Sequence, residues 1–334
     1  RDPGLYVDRI ARGLTSLAER RFAPAPIRLK ALIEREKAIG AVLAAALENV
    51  SGPPKPWAEL AVRRADALLA WVATDLPAAF ADVGDPALLA EFQATNESVR
   101  KELESFRAWL KDDILPGATG DFALGTDTVQ KELLGREGCD ASLFRLERMA
   151  TDDMAALKLE LDATARGIDN TRNAPDLLRM YAVDHPGTAR LNAEAAALLA
   201  PLRKFCADKN LLTLPAALPC SVQAMPRPFR ALRREDLALP GPWEATRPAS
   251  DYALRLTPPD AAWDGLTQED YLRNFGRYAL PLVVMGEAVP GRLTQAVAAD
   301  APAARLALAL APLSAVDGWS FYVQRLMVDQ GYGG

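Results

Sequence analysis

Residues 27–49 read IRLKALIEREKAIGAVLAAALEN, and this stretch decides the fold class. Its large apolar side chains recur at the spacings of an amphipathic helix, and they are Leu29, Ile33, Ile39, Leu43 and Leu47. A stripe with this period marks the buried face of an α-helix. The sequence therefore predicts a long packed helix here.

The same period extends over most of the chain. A helix over 86–114 is expected to end at Pro116-Gly117, because proline and glycine stop helices. The other predicted helices cover 4–21, 57–80, 127–135, 141–166, 175–181, 189–208, 267–289, 301–311 and 313–330. We therefore predict a mainly α-helical protein.

Two regions depart from the helical period. The short, glycine-flanked segment Asp121–Gly125 predicts a small strand or hairpin edge. Residues 211–259 are rich in proline, and within them 220–224 and 252–256 alternate like strands. The connection between these strands is long for a compact domain, at roughly 25 residues. It predicts either a functional lid or a loop packed over the core.

Length and composition set the broad class. The 334 residues, half of them hydrophobic and a quarter charged, can bury the core of one large or two medium domains. We predict a single largely helical domain over 1–334, with 211–259 as an insert within it. The chain begins with Arg1 and ends with Gly333-Gly334, which suggests a piece of a longer protein. Its compartment cannot be predicted without the natural N-terminus, which would carry a signal peptide if the protein is secreted or periplasmic.

Charge and hydropathy exclude several partners. A net charge of -5 and a pI of about 5.2 give no basic surface for nucleic acid. No apolar run reaches the roughly 18 residues of a membrane-spanning helix. Cys139, Cys206 and Cys220 are odd in number and far apart, so we expect small buried hydrophobic residues instead of disulfides or a clustered metal site. Nothing in the sequence fixes the oligomeric state.

The segment GEAVPGRL at 286–293 carries the main functional hypothesis. Glu287 follows Val283 by four residues on the apolar side of its helix, so its carboxylate should be partly buried. Pro290 cannot donate to the carbonyl of Gly286, which predicts a kink or a helix end. The simpler interpretation is that Pro290-Gly291 only terminates a core helix.

The chain resembles the bacterial family known as domain of unknown function 885, whose members are similar to helical zinc peptidases. That family's signature reads His-Glu-x-x-Pro-Gly-His-His-x-x-Gln, followed farther on by Glu-Gly-Trp. The residues that match it are Glu287, Pro290, Gly291, Gln295, Gly318 and Trp319. Wider matches in the same order are Arg28-Leu29 to Arg35-Glu36, Asp121–Leu134, Leu212–Pro215, Tyr322, Arg325, Leu326 and Met327. The resemblance implies a gluzincin-like helical fold with a small β element beside a cleft, and a family fold longer than this chain.

The departures from the signature fall on the metal ligands. Where the family has ligand-type residues, this chain has Gly286, Arg292, Leu293 and Asp317. An open zinc site needs three protein ligands, and the single histidine, His185, lies in a turn sequence about a hundred residues upstream. The resemblance makes Glu287 a relic general base. We expect no bound metal and no cofactor, and we expect a catalytically inactive homologue.

The resemblance also implies a ligand cleft, in which we expect a peptide, bound by adding a strand to the sheet edge, or another ligand. Its expected residues are Gly286, Glu287, Pro290, Gly291, Arg292, Asp317, Trp319, Tyr322 and Arg325. Two alternatives stay open, which are an active hydrolase with a hard metal ion on Glu287 and Asp317, and a helical scaffold with no small-molecule site.

Loss of a divalent cation would leave the carboxylates of Glu287 and Asp317 uncompensated. Burying such charge costs free energy unless a cation pairs with it. We therefore expect Arg292, or else Arg325, to pair with one of them through its planar guanidinium. The alternative is that Arg292 points into solvent.

Overall fold

The computed structural model describes residues 2–241, 244, 249–299 and 301–333. The prediction of a mainly α-helical protein with a small β element is confirmed, since the described residues contain fifteen α-helices and one three-stranded sheet. The chain forms two compact units. The predicted single-domain organisation stays a prediction.

Unit 1 comprises Arg1–Ala123, Ala224–Asp236 and Glu244–Asp251. Its helices are α1 (Gly4–Glu19), α2 (Ala25–Lys37), α3 (Ile39–Asn49), α4 (Lys55–Ala73), α5 (Asp75–Ala78) and α6 (Pro86–Trp109). A single π-helical turn, Leu110–Ile114, extends α6 towards the predicted stop at Pro116-Gly117.

Two predicted helices of unit 1 are each divided in two. The stretch 27–49 is interrupted at Ala38, between α2 and α3. Buried positions continue at helical spacing across the interruption, through Leu32, Ile39 and Leu43, so the apolar stripe does not by itself place the break. The predicted helix 57–80 ends at Ala73, because Pro77 cannot donate to the carbonyl four residues earlier.

The core of unit 1 contains one fully buried cation, Arg28, which is 1% exposed. Its Nη1 donates to the carbonyl oxygens of Leu17 at 2.7 Å and Ala18 at 2.8 Å, and its Nε donates to that of Ala23 at 3.0 Å. These carbonyls end α1 and begin the next connection, so the guanidinium caps a helix C-terminus. Burial lowers the pKa of Arg28, and the charge of Arg21 lowers it further.

We predict that Arg28→Met lowers the free energy of unfolding by about 3 kcal/mol or more, because it leaves three acceptors without their donor. Arg35→Met is the matched control on the same helix, since Arg35 is exposed and its one side-chain bond to a described residue goes to the carbonyl of Gly13. Its effect should stay within about 1 kcal/mol. Urea unfolding followed by circular dichroism measures both, and equal losses would refute the capping role.

Glu36 is the buried acid of the same helix, at 2% exposure. Burial raises the pKa of its carboxyl, against hydrogen bonds from the Thr95 hydroxyl and the Asn96 amide at 3.2 Å, which lower it. The pKa is therefore higher in the folded than in the unfolded chain. Protonation of Glu36 stabilises the fold below its ordinary pKa of 4.5, and this contribution is lost as the pH rises through the folded value.

We predict that Glu36→Gln gains stability relative to the unmodified chain as the pH rises from about 4 to 7, because the amide cannot ionise. Glu34→Gln is the control, since Glu34 is exposed and pairs with Lys37. Urea midpoints measured across this range check the prediction. A difference between variant and parent that does not change with pH would contradict it.

Unit 2 comprises Leu124–Gln223, Leu237–Trp243 and Tyr252–Gly334. The helices of unit 2 are α7 (Thr126–Glu137), α8 (Leu143–Ile168), α9 (Ala174–Ala182), α10 (Leu191–Asp208), α11 (Gly265–Leu272), α12 (Ala279–Glu287), α13 (Arg292–Ala298), α14 (Pro302–Ala309) and α15 (Leu313–Asp329). The predicted helix 267–289 is divided at Gly276, between α11 and α12. Beside this break, the backbone N–H of Arg277 donates to the carbonyl of Asp184 at 2.7 Å.

The sheet has the strand order β1-β3-β2. The strands predicted at 220–224 and 252–256 are confirmed as β1 (Ser221–Ala224) and β3 (Ala253–Leu256). β2 (Glu235–Ala238) was not predicted, because two acids and an alanine give it little strand propensity. The strand predicted at Asp121–Gly125 is wrong, since the segment pairs with no strand among the described residues and the Asp121 carboxylate accepts the N–H of Ala123 in a local turn.

Part of the proline-rich segment belongs to unit 1 and packs over its core, as expected for a loop packed over the core. Met225 and Phe229 are buried in that unit's core. Asp251 is also buried, and it accepts hydrogen bonds from Arg20 Nε at 2.9 Å and Nη2 at 2.7 Å. The same guanidinium bonds Glu244, so one arginine holds two points of the segment at the end of α1.

The core of unit 2 is formed by α10, α12, α15 and the sheet. Cys206 lies within it, in contact with the sulfur of Met327 at 3.6 Å, as expected for a buried cysteine. Cys139 and Cys220 are only half-buried, and all three thiols are free. In the described parts of the chain no single helix meets the length and hydropathy of a membrane span, although the bent pair α14 and α15 meets them together.

Candidate functional site

The predicted interruption at Pro290 is confirmed. α12 ends at Glu287, α13 begins at Arg292, and the Val289–Pro290 peptide bond between them is cis. Position 291 requires glycine because there is no space for a side chain. Backbone conformation is not the reason, since the φ of Gly291 is an ordinary -75°. A side chain there would overlap the carbonyl oxygens of Met285 and Gly286, so the connection folds tightly against the last turn of α12.

α15 is tied to this break by a tryptophan. The indole Nε1 of Trp319 donates to the carbonyl oxygens of Pro290 at 3.1 Å and Gly291 at 3.3 Å. On the other side of the break, the hydroxyl of Thr294 donates to the carbonyl of Ala288 at 3.1 Å. The carbonyls of Ala288 and Gly291 also accept backbone N–H groups, from Thr294 at 3.3 Å and Gln295 at 3.1 Å, so the side-chain bonds add to the backbone bonds of the break.

A charged cluster lies where the break meets α15. Arg292 Nη1 is 3.3 Å from Oε2 and 3.5 Å from Oε1 of Glu287, and 3.9 Å from Oδ1 of Asp317. The expected pairing of Arg292 is therefore confirmed, although one nitrogen faces both Glu287 oxygens in place of a two-nitrogen fork. The Glu287 side chain is 15% exposed, as its position on the apolar side predicted, whereas that of Asp317 is 43% exposed.

Side chains of α15 pack against Gly286 of α12. A Cβ at this position would overlap Nε2 of Gln324 and lie 2.5 Å from the hydroxyl of Ser320. The Gln324 amide also donates to the carbonyl of Leu282 at 2.9 Å. The space that a side chain would need at position 286 is thus occupied by α15.

The remaining predicted site residues fall in different surroundings. Leu293 is fully buried in the core of unit 2. Tyr322 is 57% exposed and packs against the Trp319 ring at a centroid distance of 5.8 Å. Arg325 pairs with Glu160 at 2.9 Å and Asp329 at 3.0 Å, which raise the pKa of its guanidinium, so the structure does not bring it into the charged cluster.

His185 lies in a loop, as predicted, but it is not free in solvent. Its Nε2 contacts a carboxylate oxygen of Glu269 at 2.9 Å, and its Nδ1 contacts the carbonyl of Pro186 at 3.1 Å. The contact with Glu269 joins the loop to α11. Among the described residues, no group of three or more His, Cys, Asp or Glu side chains could hold a metal ion.

Sequence reasoning missed Ser320 and Gln324, which fill the space beside Gly286. The only indication was a glycine within a helix of otherwise bulky residues, because a glycine inside a helix often marks a close contact. The partner helix could not be identified from that glycine alone.

The chain belongs to a known family. The family model described as a bacterial protein of unknown function (DUF885) matches residues 5–334. Among solved structures, the chain is similar to a candidate lipoprotein of unknown function from Shewanella oneidensis, with 24% sequence identity and a TM-score of 0.68. The match covers 100% of this chain and 61% of that one, so this chain spans less than two thirds of the relative. No curated protein matches the chain.

We predict that Gly286→Ala destabilises unit 2 by about 1–3 kcal/mol, because the new methyl group overlaps Gln324 and crowds Ser320. Alanine would otherwise favour a helix by about 1 kcal/mol over glycine. Gly318→Ala is the matched control, since nothing lies within 4 Å of a Cβ at that position in α15.

Thermal unfolding of these variants and of the Gly286→Ala/Gln324→Ala pair measures the effect. Shortening Gln324 should recover part of the loss, which appears as a coupling between the two substitutions. Strictly additive effects would show that α15 does not occupy the space beside Gly286.

Proposed function

We propose that this chain is a non-catalytic homologue of a zinc-metallopeptidase-like family, and that it binds a peptide or another ligand beside the break between α12 and α13. The observation that carries the proposal is the guanidinium of Arg292, which lies within 4 Å of carboxylate oxygens of both Glu287 and Asp317. A positive charge thus stands beside the acids on which the family's water-activating chemistry would depend.

The electrostatics of this cluster argue against a hydrolytic metal. Two carboxylates bind a divalent cation when they are free to turn towards it, but here an arginine neutralises one of their charges. A divalent ion would have to approach the guanidinium or displace it, and either step costs free energy. The chemistry of the donor set, two carboxylates and no imidazole or thiolate, also suits zinc poorly.

The packing of α12 and α15 supports the same conclusion. A histidine at position 286 would need the space that Gln324 and Ser320 fill, and a histidine at 293 would replace a core leucine. The family's ligand pattern therefore does not fit this chain without repacking both positions.

The surface of α15 supports ligand binding. Phe321 is 72% exposed and Tyr322 is 57% exposed, close to Asp317 along the same helix. Aromatic side chains beside a charged group provide contact area and orientation for an extended peptide. The lipoprotein description of the Shewanella relative supports, as part of this proposal, a location outside the cytoplasm.

Two alternatives make different predictions. An active hydrolase would need a metal ion at Glu287 and Asp317, so metal analysis distinguishes it from the proposed function and from the scaffold. A helical scaffold without a ligand site would bind no member of a peptide library. Surface plasmon resonance with such a library, repeated on a Phe321→Ala/Tyr322→Ala variant, separates it from the proposed function.

We predict that the purified chain binds no stoichiometric zinc and does not hydrolyse peptides, and that Gly286→His alone does not restore either property. An open zinc site needs three protein ligands, and a single reversal supplies one. Elemental analysis after dialysis against a weak chelator, together with a fluorogenic peptide assay, makes the measurement. Peptide turnover that Glu287→Ala abolishes would refute the non-catalytic proposal.

A further inference from the structure

Unit 1 has a pocket of its own between α3 and α6, with a volume of about 350 Å³. This volume lies within the range of pockets that hold small organic ligands. One wall is the apolar face of α3, where Leu43, Ala44 and Leu47 follow one another at helical spacing. The facing wall comes from α6 and carries the charged and aromatic side chains.

A carboxylate with an unused acceptor lines this pocket. Glu102 Oε2 is buried and receives no hydrogen bond from the described part of the protein. The other oxygen, Oε1, accepts only a long hydrogen bond of 3.3 Å from Ser98. Gly40 on α3 leaves room for this carboxylate, because a Cβ there would lie 3.2 Å from Oε2.

Within the described residues Glu102 forms no ion pair. Lys101, which also lines the pocket, pairs with Glu97 at 3.6 Å. A buried carboxylate oxygen without a donor costs free energy that a hydrogen-bonding cation would offset. The charge and the empty acceptor both favour a positively charged donor.

The remaining part of the α6 wall is aromatic. The rings of Phe106 and Trp109 pack with centroids 5.3 Å apart, and both line the pocket. Aromatic faces attract ammonium groups and also pack against an apolar body. Carboxylate, aromatic rings and an aliphatic wall together define the chemistry of an amine site.

We propose that this pocket binds a small organic ammonium ion with an apolar body, whose charged nitrogen donates to Glu102 and whose apolar part packs between Leu43, Phe106 and Trp109. The site is independent of the proposed function, because it belongs to unit 1. The same chemistry is offered by a free amine and by a lysine side chain of a peptide, so the test includes both sources.

Isothermal titration calorimetry with 2-phenylethylamine, its neutral counterpart 2-phenylethanol, and N-acetyl-lysine amide tests the proposal. We expect the amine to bind and the alcohol to bind at least tenfold more weakly, roughly the value of one hydrogen bond to a charged group. Tighter binding of the lysine compound than of phenylethylamine would assign the site to a peptide. The reverse order would assign it to a free amine.

Two pairs of variants locate the binding. Glu102→Gln should weaken amine binding by about tenfold or more, whereas Glu104→Gln, on the exposed side of α6, should not change it. Ala44→Trp should fill the pocket and abolish binding, whereas Ala41→Trp, on the same helix but outside the lining, should not. If Ala44→Trp fails to fold by circular dichroism, the glutamate pair decides. Equal binding of amine and alcohol, no binding of either amine, or amine affinity unchanged in Glu102→Gln would overturn the proposal.

Discussion

The close approach of α12 and α15 at Gly286 is the constraint on which the candidate site depends. Because no side chain separates the helices there, Gln324 can reach the carbonyl of Leu282. The same approach lets Trp319, one turn earlier on α15, donate to the connection that follows α12. Gly291 then allows that connection to fold against the helix it has just left. Arg292 comes directly after Gly291, so the same fold brings its guanidinium back towards Glu287.

The residues at positions 286, 292 and 293, which the proposed function interprets as replacements of metal ligands, each have a structural role. Glycine at 286 permits tight helix packing, leucine at 293 completes a core, and arginine at 292 brings a cation to the acids at 287 and 317. Together these roles stabilise the break between α12 and α13.

Buried charge is satisfied in two ways, by neutral dipoles or by an opposite charge, and unit 1 also contains the second arrangement, since its buried Asp251 pairs with Arg20. In unit 1, Arg28 has carbonyl acceptors and Glu36 has a hydroxyl and an amide as donors, so each is satisfied by neutral dipoles. In unit 2, the partly buried Glu287 is compensated by a full opposite charge. For Glu36, burial raises the pKa of the carboxyl and outweighs the two neutral donors, which lower it.

The sequence alone determined the helical class, two of the three strands, the helix break at Pro290 and the partial burial of Glu287. These features depend on local periodicity and on the geometry of proline, which act within a few residues. It also predicted that Arg292 would pair with an acid, because an uncompensated pair of carboxylates is costly. Only the tertiary structure decided that Arg325 pairs elsewhere, that β2 forms, that the Asp121 segment stays without a strand partner, and that Gln324 and Ser320 meet Gly286. Each of these depends on which segments meet across long separations in sequence, and local patterns carry no information about that choice.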